Sequence, residues 1–165
     1  MLDRTVFSNA GSSTYNGIEA ALSALVVSDL IATFAYTYSD FTFDDFQTGA
    51  GDFSGNHVPG IPPHQFHGKL NYIHVSGLSG LVRLTVVDAY HVDNANENRN
   101  DAFALLDLRL GYDGGTRWRF TPFLGIDNIL DERYNSSVVV NAFGGRFFEP
   151  APGRNVYVGL QVQFQ

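Results

Sequence analysis

Asn155-Val156-Tyr157-Val158-Gly159-Leu160-Gln161-Val162-Gln163-Phe164 is the stretch on which the reading of the fold turns. Val156, Val158, Leu160, Val162 and Phe164 share one parity, and Asn155, Tyr157, Gly159, Gln161 and Gln163 the other. A side-chain period of two sends these sets to opposite faces of a β-strand. The run is about as long as a tilted strand must be to cross a bilayer.

The same alternation recurs upstream. Ile18, Ala20, Leu22 and Ala24 oppose Glu19, Ala21 and Ser23, and Ala32, Phe34, Tyr36 and Tyr38 oppose Thr33, Ala35, Thr37 and Ser39. Phe66, Leu70 and Tyr72 oppose His67, Lys69 and Asn71, while Val82, Leu84 and Val86 oppose Arg83 and Thr85. Leu106, Leu108 and Leu110 oppose Asp107 and Arg109. Trp118, Phe120, Leu124 and Ile126 oppose Arg117, Arg119, Thr121 and Asp127. The spacing predicts about seven long strands plus an N-terminal stub at residues 4–8. Glu19, Lys69, Arg83, Asp107, Arg109, Arg117, Arg119 and Asp127 all keep to the polar parity; Asp40 and Asp88 break it and are expected at strand ends. Pro122 falls mid-strand on the apolar parity and cannot donate to a ladder, which predicts a bulge there.

Connections alternate in length. Short turns are expected at residues 27–29, 76–79 and 113–115, and long polar loops at 43–63, 91–101 and 128–153. Short–long alternation is the pattern of an up-and-down barrel wall with one plain and one elaborated rim. Tyr72, Tyr112, Trp118 and Phe164 are expected at the short-turn rim, and Tyr36 and Tyr38, with Phe41, Phe43 and Phe46 beyond them, at the long-loop rim. Two aromatic bands around an aliphatic zone are the girdles of an outer-membrane barrel. A soluble β-sandwich or lipocalin-like carrier also alternates, but sandwich strands are typically about half this length. The fold class expected is therefore all-β, an antiparallel up-and-down transmembrane barrel wall.

Composition narrows function. The chain has 165 residues, 44% hydrophobic and 16% charged, with a formal net charge of -7. Nucleic-acid binding needs clustered cations, so no nucleic-acid partner is expected. With no cysteine, disulfides and thiolate chemistry are excluded. No run of about 18 apolar residues suggests a transmembrane helix, and MLDRTVFSNAG shows no export signal. Ser12, Ser13, Ser136 and Ser137 sit outside any Gly-x-Ser-x-Gly elbow, no glycine-rich phosphate loop precedes a helix, and no enzyme is expected. His64 and His67, three apart on a strand, point to opposite faces and cannot share an ion; His57, His74 and His91 lie near loops or strand ends. Asp93-Asn94-Ala95-Asn96-Glu97-Asn98 is rich in oxygen ligands but lacks the alternation and central glycine of a calcium loop, so a solvated loop is expected. No cofactor or metal is assigned. The inward charges Arg109, Arg117 and Asp127 are expected to pair with one another or face an inner domain.

Four segments carry a family resemblance. Asn128-Ile129-Leu130-Asp131-Glu132-Arg133-Tyr134 resembles the Asn-Leu-Phe-Asp-x-x-Tyr signature that follows the penultimate strand of TonB-dependent outer-membrane receptor barrels. Gly153-Arg154, leading through Tyr157 and Gly159 to Phe164, resembles the closing strand of that family, although Gln165 follows where the family ends on the aromatic. Asn9-Ala10-Gly11 with Gly17-Ile18-Glu19, and Pro59-Gly60-Ile61-Pro62-Pro63-His64, fit upstream. The motif residues Asn128, Asp131, Tyr134, Gly153, Arg154 and Phe164 read as structural; Arg146, Phe147 and Phe148 are candidate ligand contacts from the last loop.

The resemblance implies a Gram-negative outer-membrane location and uptake of a ferric siderophore or cobalamin. It also implies partners: outer-membrane lipid, a plug domain, the remaining strands of a barrel of about 22, and the TonB complex. On this reading residues 1–165 are the C-terminal segment of the barrel domain of a longer exported chain, without plug or signal peptide. An open sheet leaves unsatisfied backbone edges in hydrocarbon, which favours a fragment over a self-closed barrel. A stand-alone eight-stranded barrel, acting as adhesin or envelope stabiliser, is the alternative; Ala21, Ala35 and Gly159 are small for its packed interior.

Overall fold

The computed structural model describes residues 11–114 and 118–164. The stub expected at residues 4–8, Asn9 and Ala10 of the first motif, Gly115, Arg117 and Gln165 lie outside the described residues. The elements in chain order are β1 (Gly11–Val27), β2 (Leu30–Thr48), β3 (Gly51–Asp52), β4 (His64–Ile73), β5 (Leu78–Val87), β6 (Tyr90–His91), β7 (Arg99–Asn100), β8 (Phe103–Tyr112), β9 (Trp118–Asp127), β10 (Asn135–Val138), β11 (Phe148–Pro150) and β12 (Asn155–Phe164). A 3-10 turn covers Phe143–Gly145.

The seven long strands make one antiparallel sheet in the order β1-β2-β4-β5-β8-β9-β12, with β3 paired to the end of β2. Each long strand pairs with the next in sequence, the topology of an up-and-down wall. The wall is open, with β1 and β12 as its edges. It is a partial barrel.

Register explains why the alternation matters. Ile18 opposes Tyr38, Leu22 opposes Phe34, and Ala32 opposes Leu70. Leu70 then opposes Val82, Val82 opposes Leu108, Leu108 opposes Ile126, and Ile126 opposes Val156. Every apolar set thus lands on one face. A one-residue slip anywhere would have moved a strand's apolar set to the other face. The second face carries Glu19, Thr37, Lys69, Arg83, Asp107, Arg109 and Asp127. There Lys69 opposes Arg83 and Arg83 opposes Asp107, with Arg83 Nη1 and Asp107 Oδ2 3.6 Å apart.

Among the described residues no second layer covers the apolar face. Ile18, Leu22, Val158 and Leu160 are all exposed, Val158 at 79%. A contiguous exposed apolar band marks an interaction surface, here one matched to hydrocarbon. β4, β5, β8, β9 and β12 each have 10 residues. At about 3.3 Å per residue and a tilt near 45° each spans about 23 Å along the normal, close to the apolar band of a membrane barrel.

Three expectations need correction. β2 runs for 19 residues and β1 for 17, so the hairpin extends past the end of β4 and the first long loop begins at residue 49. Asp40 therefore sits inside β2 opposite Asn16, not at a strand end. Second, Phe41, Phe43 and Phe46 are not part of the lipid-side girdle. Phe41 and Phe43 have the parity of Thr37 and Ser39, and a register shift between Ser12 and Ser13 brings Phe46 round to the same side as Phe43. Third, Pro122 causes no bulge. β9 pairs with β12 in unbroken register through Leu160 and Pro122, while the ladder to β8 stops at Gly111 and Phe123, one residue before the proline. The strand gives up one neighbour at the residue that has no N–H.

The buried residues lie mostly off the wall. Val92, Phe147, Asp93, Asn100 and Asn128 are all buried in the connections at one rim. A thin wall in lipid has little interior of its own, so among the described residues most of the burial is where the long loops pack on one another.

Candidate functional site

The rim that carries the long loops is the candidate site. It is fastened first at the exit of β9. Asn128, at φ 52, donates through its backbone N to Asp107 Oδ1 (2.9 Å) and through Nδ2 to the Glu132 carbonyl (2.8 Å). Its Oδ1 accepts from Glu132 N at 2.9 Å. Asparagine tolerates the left-handed conformation and can bond neighbouring backbone at once, so one residue both turns the chain and locks the turn. Asp131, at φ 55, accepts from Arg154 N at 3.0 Å, and Arg154 Nη2 lies 3.9 Å from its Oδ2. A Cβ at Gly153 would come within 3.2 Å of that carboxylate. Four sequence-selected residues, Asn128, Asp131, Gly153 and Arg154, thus form one clamp joining the exit of β9 to the entry of β12. Tyr134 continues it, its ring 4.9 Å from Phe103. Phe164 is at the opposite rim, 4.7 Å from the Trp118 ring.

Of Arg146, Phe147 and Phe148, the two rings meet edge-on with centroids 5.9 Å apart. Phe147 is buried in the last loop, while Arg146 and Phe148 are exposed, Phe148 on the β10–β11 hairpin.

The loops are knitted by asparagines, among them Asn94 and Asn96 of the segment read as a solvated loop. Asn96 Nδ2 donates to the His57 carbonyl (2.9 Å) while His57 N donates to Asn96 Oδ1 (2.8 Å). Asn94 N donates to Asn141 Oδ1 (2.9 Å), Asn56 Nδ2 to the Asn94 carbonyl (2.8 Å), and Asn135 Nδ2 to Asn100 Oδ1 (2.7 Å). Residues 49–63, 88–102 and 128–154 are joined by these bonds. Asp93 is the hub of the middle loop, accepting from Glu97 N and from the N and Nδ2 of Asn98. Burial pushes its carboxyl up, but these donors outweigh burial and hold it below the ordinary carboxylate value. The loop expected to be merely solvated is instead organised on a buried carboxylate whose oxygens are used by its own backbone. Among the described residues no three His, Asp or Glu side chains converge as a metal site.

Above the end of β4 the β1–β2 hairpin presents an aromatic face on the inward side. Tyr15 meets Phe41 edge-on at 4.7 Å, Phe43 stacks on Phe46 at 4.4 Å, and Phe46 lies 5.9 Å from Phe53. The odd parity of Phe41 and Phe43 was legible; the register shift that adds Phe46 was not. Lower on the same face, Arg109 sits 4.1 Å over the Phe123 ring, while Arg117, the second cation expected there, lies outside the described residues. Gly159 and Gly125, opposite Phe123 and Tyr157, are small because those rings lie across them: a Cβ at either would collide with the ring.

A sheet with one lipid-matched face, one charged face and all its elaboration at one rim defines the wall of a membrane β-barrel. The family model for the TonB dependent receptor-like β-barrel matches residues 2–129, and the chain belongs to that family. Among solved structures it is similar to the siderophore receptor PiuA from Acinetobacter baumannii (TM-score 0.76, 21% identity, 92% of this chain and 22% of that one). It is also similar to the ferric yersiniabactin uptake receptor FyuA from Yersinia pestis (0.76, 22%, 94% and 24%) and to the ferric citrate transporter FecA (0.76, 18%, 93% and 25%). At these identities the likeness is one of fold. The chain spans about a quarter or less of the length of each.

Proposed function

We propose that this chain forms part of the wall and outer mouth of an outer-membrane receptor that takes up a ferric siderophore, with energy supplied through TonB. The continuous lipid-matched face opposite a polar face, with the knitted loops at one rim, carries the reading. The apolar face meets outer-membrane lipid. The loops and the aromatic hairpin face capture the chelate at the cell surface, and the charged inward wall lines its path beside a plug domain. The solved structures it resembles include receptors for siderophores and ferric chelates, which supports the ligand class. No catalytic role is assigned.

Surface labelling tests this. Gly144, in open space in the last loop, and Ser76, in a short turn, are each replaced by cysteine in a chain that has none. G144C is expected to react with an impermeant maleimide on intact cells, and S76C only after permeabilisation. A saturating ferric chelate from a siderophore panel should slow labelling of G144C. Equal labelling at both sites, or a monodisperse detergent-free protein, would overturn the membrane reading; no response to any chelate would overturn the ligand.

A further inference from the structure

A cavity of about 270 Å³ opens where the first two long loops meet β2, walled by Phe41, His57, Ile61, Tyr90, His91 and Arg99 among others. In a chain of net charge -7, its lining holds a guanidinium, two imidazoles and a phenol but no carboxylate. The imidazoles of His57 and His91 are near-parallel, 8° apart in plane with centroids 6.0 Å apart. His91 Nδ1 is buried and has no hydrogen-bond partner, a state uncommon enough to require an explanation. Arg99 Nη2 reaches the Ala89 carbonyl at a long 3.4 Å, which leaves most of its donor fork uncommitted. Asp40 Oδ1 lies 3.9 Å from His57 Nδ1. Burial raises the Tyr90 phenol above its ordinary value, keeping it a neutral donor.

We infer that this cavity binds the carboxylate of a small organic anion, with Arg99 and His91 on the carboxylate and Phe41 and Ile61 against the apolar body. Guanidinium forks match planar carboxylates in two-point contact. The apolar half of the lining argues for an organic anion over an inorganic one. Its volume falls just below the roughly 300 Å³ at which pockets for whole ligands begin, so it takes a small acid or one arm of a larger molecule. Resting on the receptor reading, it would grip one carboxylate arm of the chelate.

The test uses the detergent-solubilised protein with ¹⁵N-labelled histidine, titrated with benzoate, with benzamide as its neutral counterpart, and with inorganic phosphate. Benzoate is expected to shift the His57 and His91 ring resonances saturably and benzamide to leave them in place. R99Q should weaken benzoate about tenfold or more, as loss of a charge-assisted hydrogen bond does, and R99K should weaken it less. If R99Q disturbs the remaining spectrum, H91Q is read instead, with the same loss expected. Equal shifts from benzamide, shifts from phosphate as large as those from benzoate, or unaltered benzoate binding in R99Q would each overturn the site. Chelate uptake by cells is scored separately. Benzoate binding without uptake of any chelate removes the receptor reading and leaves the cavity assignment; uptake with Arg99-independent benzoate binding does the reverse.

Discussion

Replacing Asn128 by alanine tests how the turn out of β9 is held. The side chain accepts from Glu132 N at 2.9 Å and donates to the Glu132 carbonyl at 2.8 Å, and the residue is only 4% exposed. Losing the two bonds costs about 1 kcal/mol each, since Glu132 is only half-buried and water replaces part of what is lost. Alanine at φ 52 adds about 1 kcal/mol that asparagine largely escapes. The sum for N128A is about 3 kcal/mol of local stability, or roughly a hundredfold faster opening. N128G removes the backbone cost and keeps the bond loss, about 2 kcal/mol in all. Hydrogen exchange of the Glu132 amide in the detergent-folded protein reads this directly. The expected order of protection is wild type, then N128G, then N128A. Unchanged exchange in N128A would refute the clamp, and N128G exchanging as fast as N128A would refute the conformational part.

Two further outcomes follow from the wall and the loops. Leu84→Arg, mid-β5 on the apolar face, should destabilise folding into bilayers by about 2–4 kcal/mol, whereas Gln161→Arg on the charged face should cost little; equal costs in urea titrations on vesicles would reverse the assignment of faces. The Asp93 carboxyl is held below its ordinary value in the folded loop, so its stabilisation is fully present above the unfolded pKa of about 4 and is lost as pH falls below it. Protection of the Glu97 and Asn98 amides, corrected for intrinsic exchange, should fall over that acid range in the wild type. It should stay flat in D93N.

The faces of the wall, the number of long strands and the rim that carries the elaboration were legible in the sequence. The reason is that a period of two is local: each residue's side is set by its neighbour's, and lipid on one face leaves no packing partner to override it. Asn128 was legible as a turn residue for the same reason, because its side chain bonds Glu132 only four residues along the chain; that Asp131 would also hold Arg154, 23 residues on, was not. What tertiary structure alone decided lies in pairings distant in sequence. The extension of β1 and β2 beyond β4 depends on two strands continuing to pair with each other after a third has ended. The shift that turns Phe46 inward is a mismatch between two strands and is written in neither. Asn94 meeting Asn141, Asn96 meeting His57, and His57 stacking near His91 require loops dozens of residues apart to fold over one rim. Asparagine in a loop carries the same local signal whether it bonds water or another loop, so only the closed arrangement shows which it does.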